Sequence, residues 1–267
     1  MKYCGFLFNT EGIPTLKIPE DKKDRASAMI QHVLSSPRRE WSRLSLAVVG
    51  GVLESMAEGT PRRIGHTYLK SLQGQIRPPE SGTGIEPYLT KTRLGQRSLR
   101  ELQWWARHLR DGHGRIAWGT SAGTLTPAFG DGSGTGTGGT FILPNSPLRM
   151  WKGKWVPCVY SHSSNLKELG TLHVTLEVIL SESSGEVRGC TLFYFTDNST
   201  TYWICSKGSS RNSSLHRLLE EIRALEVQLE CHLVVIHVPG LIMIQEGTDG
   251  LSRGLWISPW HPTILTT

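Results

Sequence analysis

The chain has 267 residues, 38% hydrophobic and 19% charged. That composition fits a folded, water-soluble protein and excludes a disordered or membrane-embedded one. The formal charge of +6 is uneven: residues 1–110 hold 18 Lys+Arg against 10 Asp+Glu, and residues 111–267 hold 11 against 13. A basic front half suits a polyanionic partner, or is simply a solvated basic surface. Cys4, Cys158, Cys190, Cys205 and Cys231 are dispersed with no CxxC pair. This argues against a disulfide framework and a thiolate zinc site, and points to a reducing, intracellular compartment. The start has no secretory pattern, and no apolar run reaches the length of a membrane span.

In chain order, Tyr3 to Phe8 reads as a buried strand and Ile13 to Ile18 as its return. Pro19 stands where a first helical residue would, before the helically spaced Ala26, Met29, Ile30, Val33 and Leu34. A second helix is expected from Glu40 to Glu58, closed by Gly59 and Pro61, and a basic third from Arg62 to Leu72. Gln75 to Tyr88 is rich in Pro and Gly and reads as a linker. Ser98 and Glu101 form a capping box for a helix through Leu102, Trp105 and Leu109.

The order then changes. Strands are expected at Leu125–Gly130, Gly138–Leu143 and Lys152–Tyr160, followed by a helix over Leu166–Leu180 and a strand over Gly189–Thr196. A short helix near Tyr202, a helix with Leu215, Leu218, Leu219, Ile222, Leu225 and Leu229 on one face, a strand over Leu233–Val238 and a helix near Asp249 complete the run. This is an α/β pattern, a mixed sheet with helices on its faces.

Four carboxylates stand at strand ends and helix starts, where an α/β sheet assembles a site. They are Asp131, Glu168, Asp197 and Asp249. At about 100° per residue, Leu169, Leu172, Leu176, Ile179 and Leu180 cluster roughly 70° from Glu168, placing it at the edge of the buried stripe. Each acid also has a local reading. Asp131 and Asp197 suit turns, Glu168 suits a capping box with Asn165, and Asp249 suits a helix cap.

Four motifs in one order resemble those of retroelement ribonuclease H domains. They are DGSGTGTGG (Asp131–Gly139), HSSNLKEL (His162–Leu169), FTDNST (Phe195–Thr200), and HVPG (His237–Gly240) with GTDGLSRG (Gly247–Gly254). The front half, YCGFLFNTEG then KIPEDKK and two helices, resembles the primer grip, thumb and connection of a reverse transcriptase. LQWWARHL (Leu102–Leu109) is similar to the helix before the nuclease in DIRS-like retrotransposons. The resemblance implies a ribonuclease H-like mixed sheet preceded by a smaller, mainly helical region with a β-hairpin. The implied division is 1–75 thumb and connection remnant, 76–95 linker, 96–254 nuclease domain with its leading helix, and 255–267 tail.

The resemblance further implies that Asp131, Glu168, Asp197 and Asp249 hold two Mg²⁺ ions, with Mn²⁺ able to substitute, and cut the RNA strand of an RNA–DNA hybrid. Two hard cations with oxygen ligands activate the attacking water and stabilise the leaving oxygen. Implied partners are the hybrid, held through phosphate contacts of the basic front half, and the rest of a reverse transcriptase polyprotein; no membrane is implied. The sequence departs from the pattern in two ways. It has no Tyr-x-Asp-Asp, so no polymerase site. Leu241 stands about where many ribonucleases H carry a loop His, and His237, inside the strand, takes no catalytic role. A fragment that binds nucleic acid without cutting it is the alternative.

Trp104, Trp105, Trp151 and Trp155 suit either substrate contact or core packing. Gly119-Thr120-Ser121-Ala122-Gly123 matches a nucleophile elbow, but Thr124-Leu125-Thr126-Pro127 disfavours the helix that motif needs. The Gly-rich run after Asp131 lacks the Lys-Ser/Thr of a phosphate cradle and reads as a hairpin.

Overall fold

A computed structural model describes residues 2–3, 5–9, 15–78, 84–111, 115–116, 125–144, 146–159, 161–183 and 185–255. The chain forms two compact units, Met1–Thr120 and Ser121–Thr267. The Gly119–Gly123 motif lies outside the described residues.

In the first unit, β1 (Lys2–Tyr3), β2 (Phe6–Asn9), β3 (Thr15–Lys17) and β6 (Arg115–Ile116) form one sheet in the order β1-β2-β3-β6. The expected hairpin is present as β2 and β3, antiparallel with Phe8 opposite Leu16. Pro19 is the N-cap of α1 (Glu20–Ser35) rather than its first residue. The expected helix from Glu40 begins as strand β4 (Glu40–Ser42) before α2 (Arg43–Ala57). Ser42 makes the break: its Oγ accepts from Ser45 N–H and caps α2. The basic third helix is a 3₁₀ stretch, Pro61–Leu69, running into α3 (Lys70–Ile76).

The expected linker carries order in its second part. α4 (Glu86–Leu89) and β5 (Lys91–Arg93) lie there, and β5 pairs with β4. Arg43 fastens this segment, its guanidinium donating to the Gln75 and Arg77 carbonyls and to Thr90 Oγ1. α5 (Gln96–Asp111), expected to lead the nuclease domain, packs within the first unit on α1, α3 and the 3₁₀ stretch. Glu101 is not confined to its own helix start. Its carboxylate accepts the Ser71 and Leu72 N–H groups at 2.8 and 2.9 Å, capping α3.

The second unit is α/β: a five-stranded mixed sheet flanked by helices, as expected. Its strands are β7 (Leu125–Gly132), β8 (Gly136–Phe141), β9 (Arg149–Lys154), β10 (Thr191–Thr196) and β11 (His232–His237), in the order β11-β10-β7-β8-β9. β7, β8 and β9 run antiparallel, while β10 is parallel to both β7 and β11. The helices are α6 (Ser164–Ser183), α7 (Ser199–Lys207), α8 (Ser213–Gln228), α9 (Gly240–Gln245) and α10 (Thr248–Ser252). Leu169, Leu172, Leu176 and Ile179 of α6 are fully buried with Leu192, Tyr194, Leu219 and Ile222. Each such aliphatic side chain contributes roughly 1.5–3 kcal/mol by leaving water. No helix among the described residues is long and apolar enough to cross a membrane.

Candidate functional site

β7 and β10 lie side by side and parallel, so they end at the same edge of the sheet. Asp131 is the penultimate residue of β7, and Asp197 directly follows β10. α6 starts over this edge, with Glu168 its fifth residue, just past the first turn. Asp131, Glu168 and Asp197 each offer a carboxylate oxygen, and these oxygens lie within 4.8 Å of one another. Asp131 and Glu168 are buried, and Asp197 is the more open.

The local readings of these acids are filled by other residues. Ser163 Oγ accepts from Leu166 N–H at the start of α6. Asn165 Oδ1 accepts from Asn198 Nδ2, not from its own helix. Asn198 caps α7 by accepting from Thr201 N–H at 2.8 Å, which leaves the Asp197 carboxylate for the cluster. Asp249 lies inside the first turn of α10, whose N-cap is Gly247.

Asp249 is not among the three whose carboxylate oxygens lie within 4.8 Å of one another. Arg253 holds its carboxylate, with Nη2 at 2.8 Å from Oδ1 and Nε at 3.1 Å from Oδ2. Its charge is still felt by Asp131. His237 ends β11, its Nε2 lying 3.0 Å from the Asp197 carbonyl oxygen and so on the backbone of the site. Leu241, at the place of the missing loop His, is exposed.

The electrostatics suit a cation. Burial, then the charges of Asp131 and Asp197, push the Glu168 carboxyl up to about 8, although the Gly132 N–H donates to it. Burial raises Asp131 as well; the Ser252 hydroxyl opposes this, and Asp197 and Asp249 add to it. Glu168 Oε2 is buried with no hydrogen-bond partner. A buried, unpartnered carboxylate oxygen is costly unless something positive meets it. Three converging carboxylates are the hard-oxygen donor set that a divalent ion such as Mg²⁺ takes, so the residues fit a metal.

Ser252 and Arg253 carry functional geometry that the sequence reading gave no role. Their signal was the LSR triplet after Asp249, since a helix start packed on the site brings residues three and four further on to the same face. Among the tryptophans, Trp105 is fully buried and donates to the Tyr68 carbonyl, the packing use. Trp155 donates to the Ser133 carbonyl at 3.1 Å, bracing the hairpin turn. That turn joins β7 and β8 directly, which makes the Gly-rich run a hairpin.

No family model and no curated protein matches the chain. Among solved structures it is similar to RNase H1 from the halophilic archaeon Halobacterium salinarum NRC-1, at 16% identity, over 49% of this chain and 96% of that one, TM-score 0.40. It is similar to the N-terminal RNase H domain of a Mycobacterium tuberculosis protein, at 16% identity, over 49% and 98%, TM-score 0.39. It is also similar to the foamy viral protease-reverse transcriptase in complex with RNA/DNA hybrid, at 14% identity, over 99% of this chain and 32% of that one, TM-score 0.32. At such TM-scores these likenesses carry no weight of their own.

Proposed function

We propose that the second unit is a ribonuclease H-type nuclease that cuts the RNA strand of RNA–DNA hybrids with Mg²⁺, within a retroelement reverse transcriptase of DIRS-like kind. One observation carries this reading: Asp131, Glu168 and Asp197 converge at a shared strand edge, with oxygens within 4.8 Å. The motif order DGSGTGTGG, HSSNLKEL, FTDNST and GTDGLSRG supports the family assignment.

Asp131, Glu168 and Asp197 would hold the first ion, and Asp249 would join once Arg253 releases it. When bound, divalent ions supply an activated water and neutralise charge on the leaving oxygen. The protein's part is placement. The buried Asp131 and Glu168 would anchor the ligand set, and the more open Asp197 would meet the incoming phosphate. Arg253, paired here with Asp249, would be a cation free to meet a phosphate once the carboxylate turned away. Lys and Arg of residues 1–110 would hold the hybrid's backbone, and discrimination of RNA from DNA would fall on 2′-OH contacts.

The second reading, a chain that binds hybrid without cutting it, draws on the Asp249–Arg253 pair, which ties up one of the four acids. Titrating Mg²⁺ and Mn²⁺ into the full chain, with hybrid binding and cutting read together, separates the two. Cutting that appears with metal and stops with chelator supports the nuclease. Tight binding with no cutting in either metal would establish the binder.

A further inference from the structure

The short helix carrying Asp249 also carries a side chain aimed at the centre of the acidic site. Ser252 is 1% exposed. Its Oγ lies 2.6 Å from Asp131 Oδ2 and 2.9 Å from the Asp249 carbonyl oxygen. A hydroxyl has one proton to give, and a hydrogen bond to a carboxylate is the shorter and stronger kind. The proton therefore goes to Asp131. A return tie exists: Ser133 Oγ, two residues beyond Asp131, donates to the Ser252 carbonyl at 2.7 Å. The end of β7 and the end of α10 thus hold each other at two points, of which only the Ser252 hydroxyl touches a candidate metal ligand.

A carboxylate on a short side chain turns about one bond, and its orientation decides which lone pairs face a cation. Asp131 has neighbouring negative charge from Asp197 and Asp249 that favours turning away. We propose that Ser252 is a positioning residue: its buried hydroxyl holds the Asp131 carboxylate in the orientation that takes a divalent cation, and so couples the seating of α10 to metal binding. This rests on the nuclease reading of the acids. Groups that orient metal ligands from outside the coordination sphere are worth about 10–100-fold in affinity or activity.

The test is calorimetry of Mn²⁺ binding to the full chain without nucleic acid, comparing wild type, Ser252→Ala, Ser252→Cys and Ser133→Ala, each checked for folding by circular dichroism. Ser252→Ala is expected to bind Mn²⁺ roughly 10–100-fold more weakly. Its half-saturating Mg²⁺ for cleavage should rise in step, while the rate at saturating metal stays within about threefold. Ser133→Ala removes the return tie but not the Asp131 bond, so it should melt earlier with metal affinity within about threefold of wild type. A purely structural role for Ser252 instead predicts equal losses of affinity in both variants, and that result would overturn the proposal. If Ser252→Ala does not fold, Ser252→Cys decides, because a thiol is a weak donor of similar shape. Intermediate affinity supports the proposal, and wild-type affinity overturns it. A wild-type chain that binds no Mn²⁺ overturns the nuclease reading and this inference with it. A folded Ser252→Ala that binds as tightly as a metal-competent wild type overturns this inference alone.

Discussion

Asp131 stands directly opposite Gly138 in the antiparallel pairing of β7 and β8, and Gly138 is the floor on which Leu251 of α10 rests. A Cβ on Gly138 would lie 2.7 Å from Leu251 Cβ and 2.8 Å from the Leu251 carbonyl carbon. One strand position thus carries the acid, and its partner lacks the side chain that would keep α10, with Ser252 and Asp249, away from that acid.

The first prediction follows from that contact. Gly138→Ala forces a side chain against backbone that cannot turn aside, and overpacking of this kind costs about 1–3 kcal/mol. Urea unfolding should show that loss, and the apparent Mg²⁺ requirement for cleavage should rise because α10 is lifted. Unchanged stability would contradict the packing described.

How far the sequence revealed this arrangement depended on range. The strands β10 and β11 and the helices α6 and α8 were legible because their burial follows simple period-2 or 3.6 patterns. β8 was legible only as a Gly-rich hairpin; that its glycines receive α10 was not, since the contact joins residues over a hundred positions apart. Glu101 was misread for the same reason. A capping-box pattern is local, but its carboxylate serves the N–H groups of Ser71 and Leu72 on another helix. β4 was hidden inside a helical pattern because Trp41 keeps the helix spacing, and the pairing with β5 prevails there. The acids were found through motif order; the i,i+4 spacing of Asp249 and Arg253 permits their pair, but that Arg253 takes this carboxylate is a side-chain choice that spacing alone does not settle.

The raised Glu168 carboxyl makes stability depend on pH. In the metal-free folded chain it titrates at about 8, against a usual value of 4.5. Between those values the folded form keeps a proton that the unfolded form has released. Stability therefore falls as pH rises through the window and levels off above it; below the window the group adds nothing. At about 1.4 kcal/mol per pKa unit the effect is on the order of a few kcal/mol. Melting temperatures in chelator should fall from about pH 5 to about pH 8.5. Glu168→Gln should flatten that slope and melt higher than wild type at the alkaline end. A flat wild-type profile would contradict the burial of an unpartnered carboxylate.

Away from the site, Arg223 and Glu226 form a buried pair on α8. Arg223 Nη1 lies 2.5 Å from Glu226 Oε2, and Nη2 donates to the Cys205 carbonyl at 2.7 Å. Glu226, 1% exposed, also accepts the Leu233 N–H at 2.9 Å, tying α8 to β11. Burial works to raise its carboxyl, but His232, Arg223 and the Leu233 N–H together hold it below the usual range. Arg223→Ala strands that charge and should cost about 3–5 kcal/mol. Denaturant unfolding checks this; a loss under about 1 kcal/mol would mean the pair is solvated.

The most direct test of the nuclease claim is strand-resolved cleavage of an RNA–DNA hybrid, labelled on one strand at a time, by wild type and Asp197→Asn in Mg²⁺. Asp197 suits the test because it is the more open of the three converging acids, so its amide variant should fold. The predicted result is cutting of the RNA strand alone, with Asp197→Asn slower by more than about 100-fold, beyond the range seen when only an outer-sphere group is lost. Cutting of both strands alike, or equal activity in Asp197→Asn, would contradict the assignment of this site.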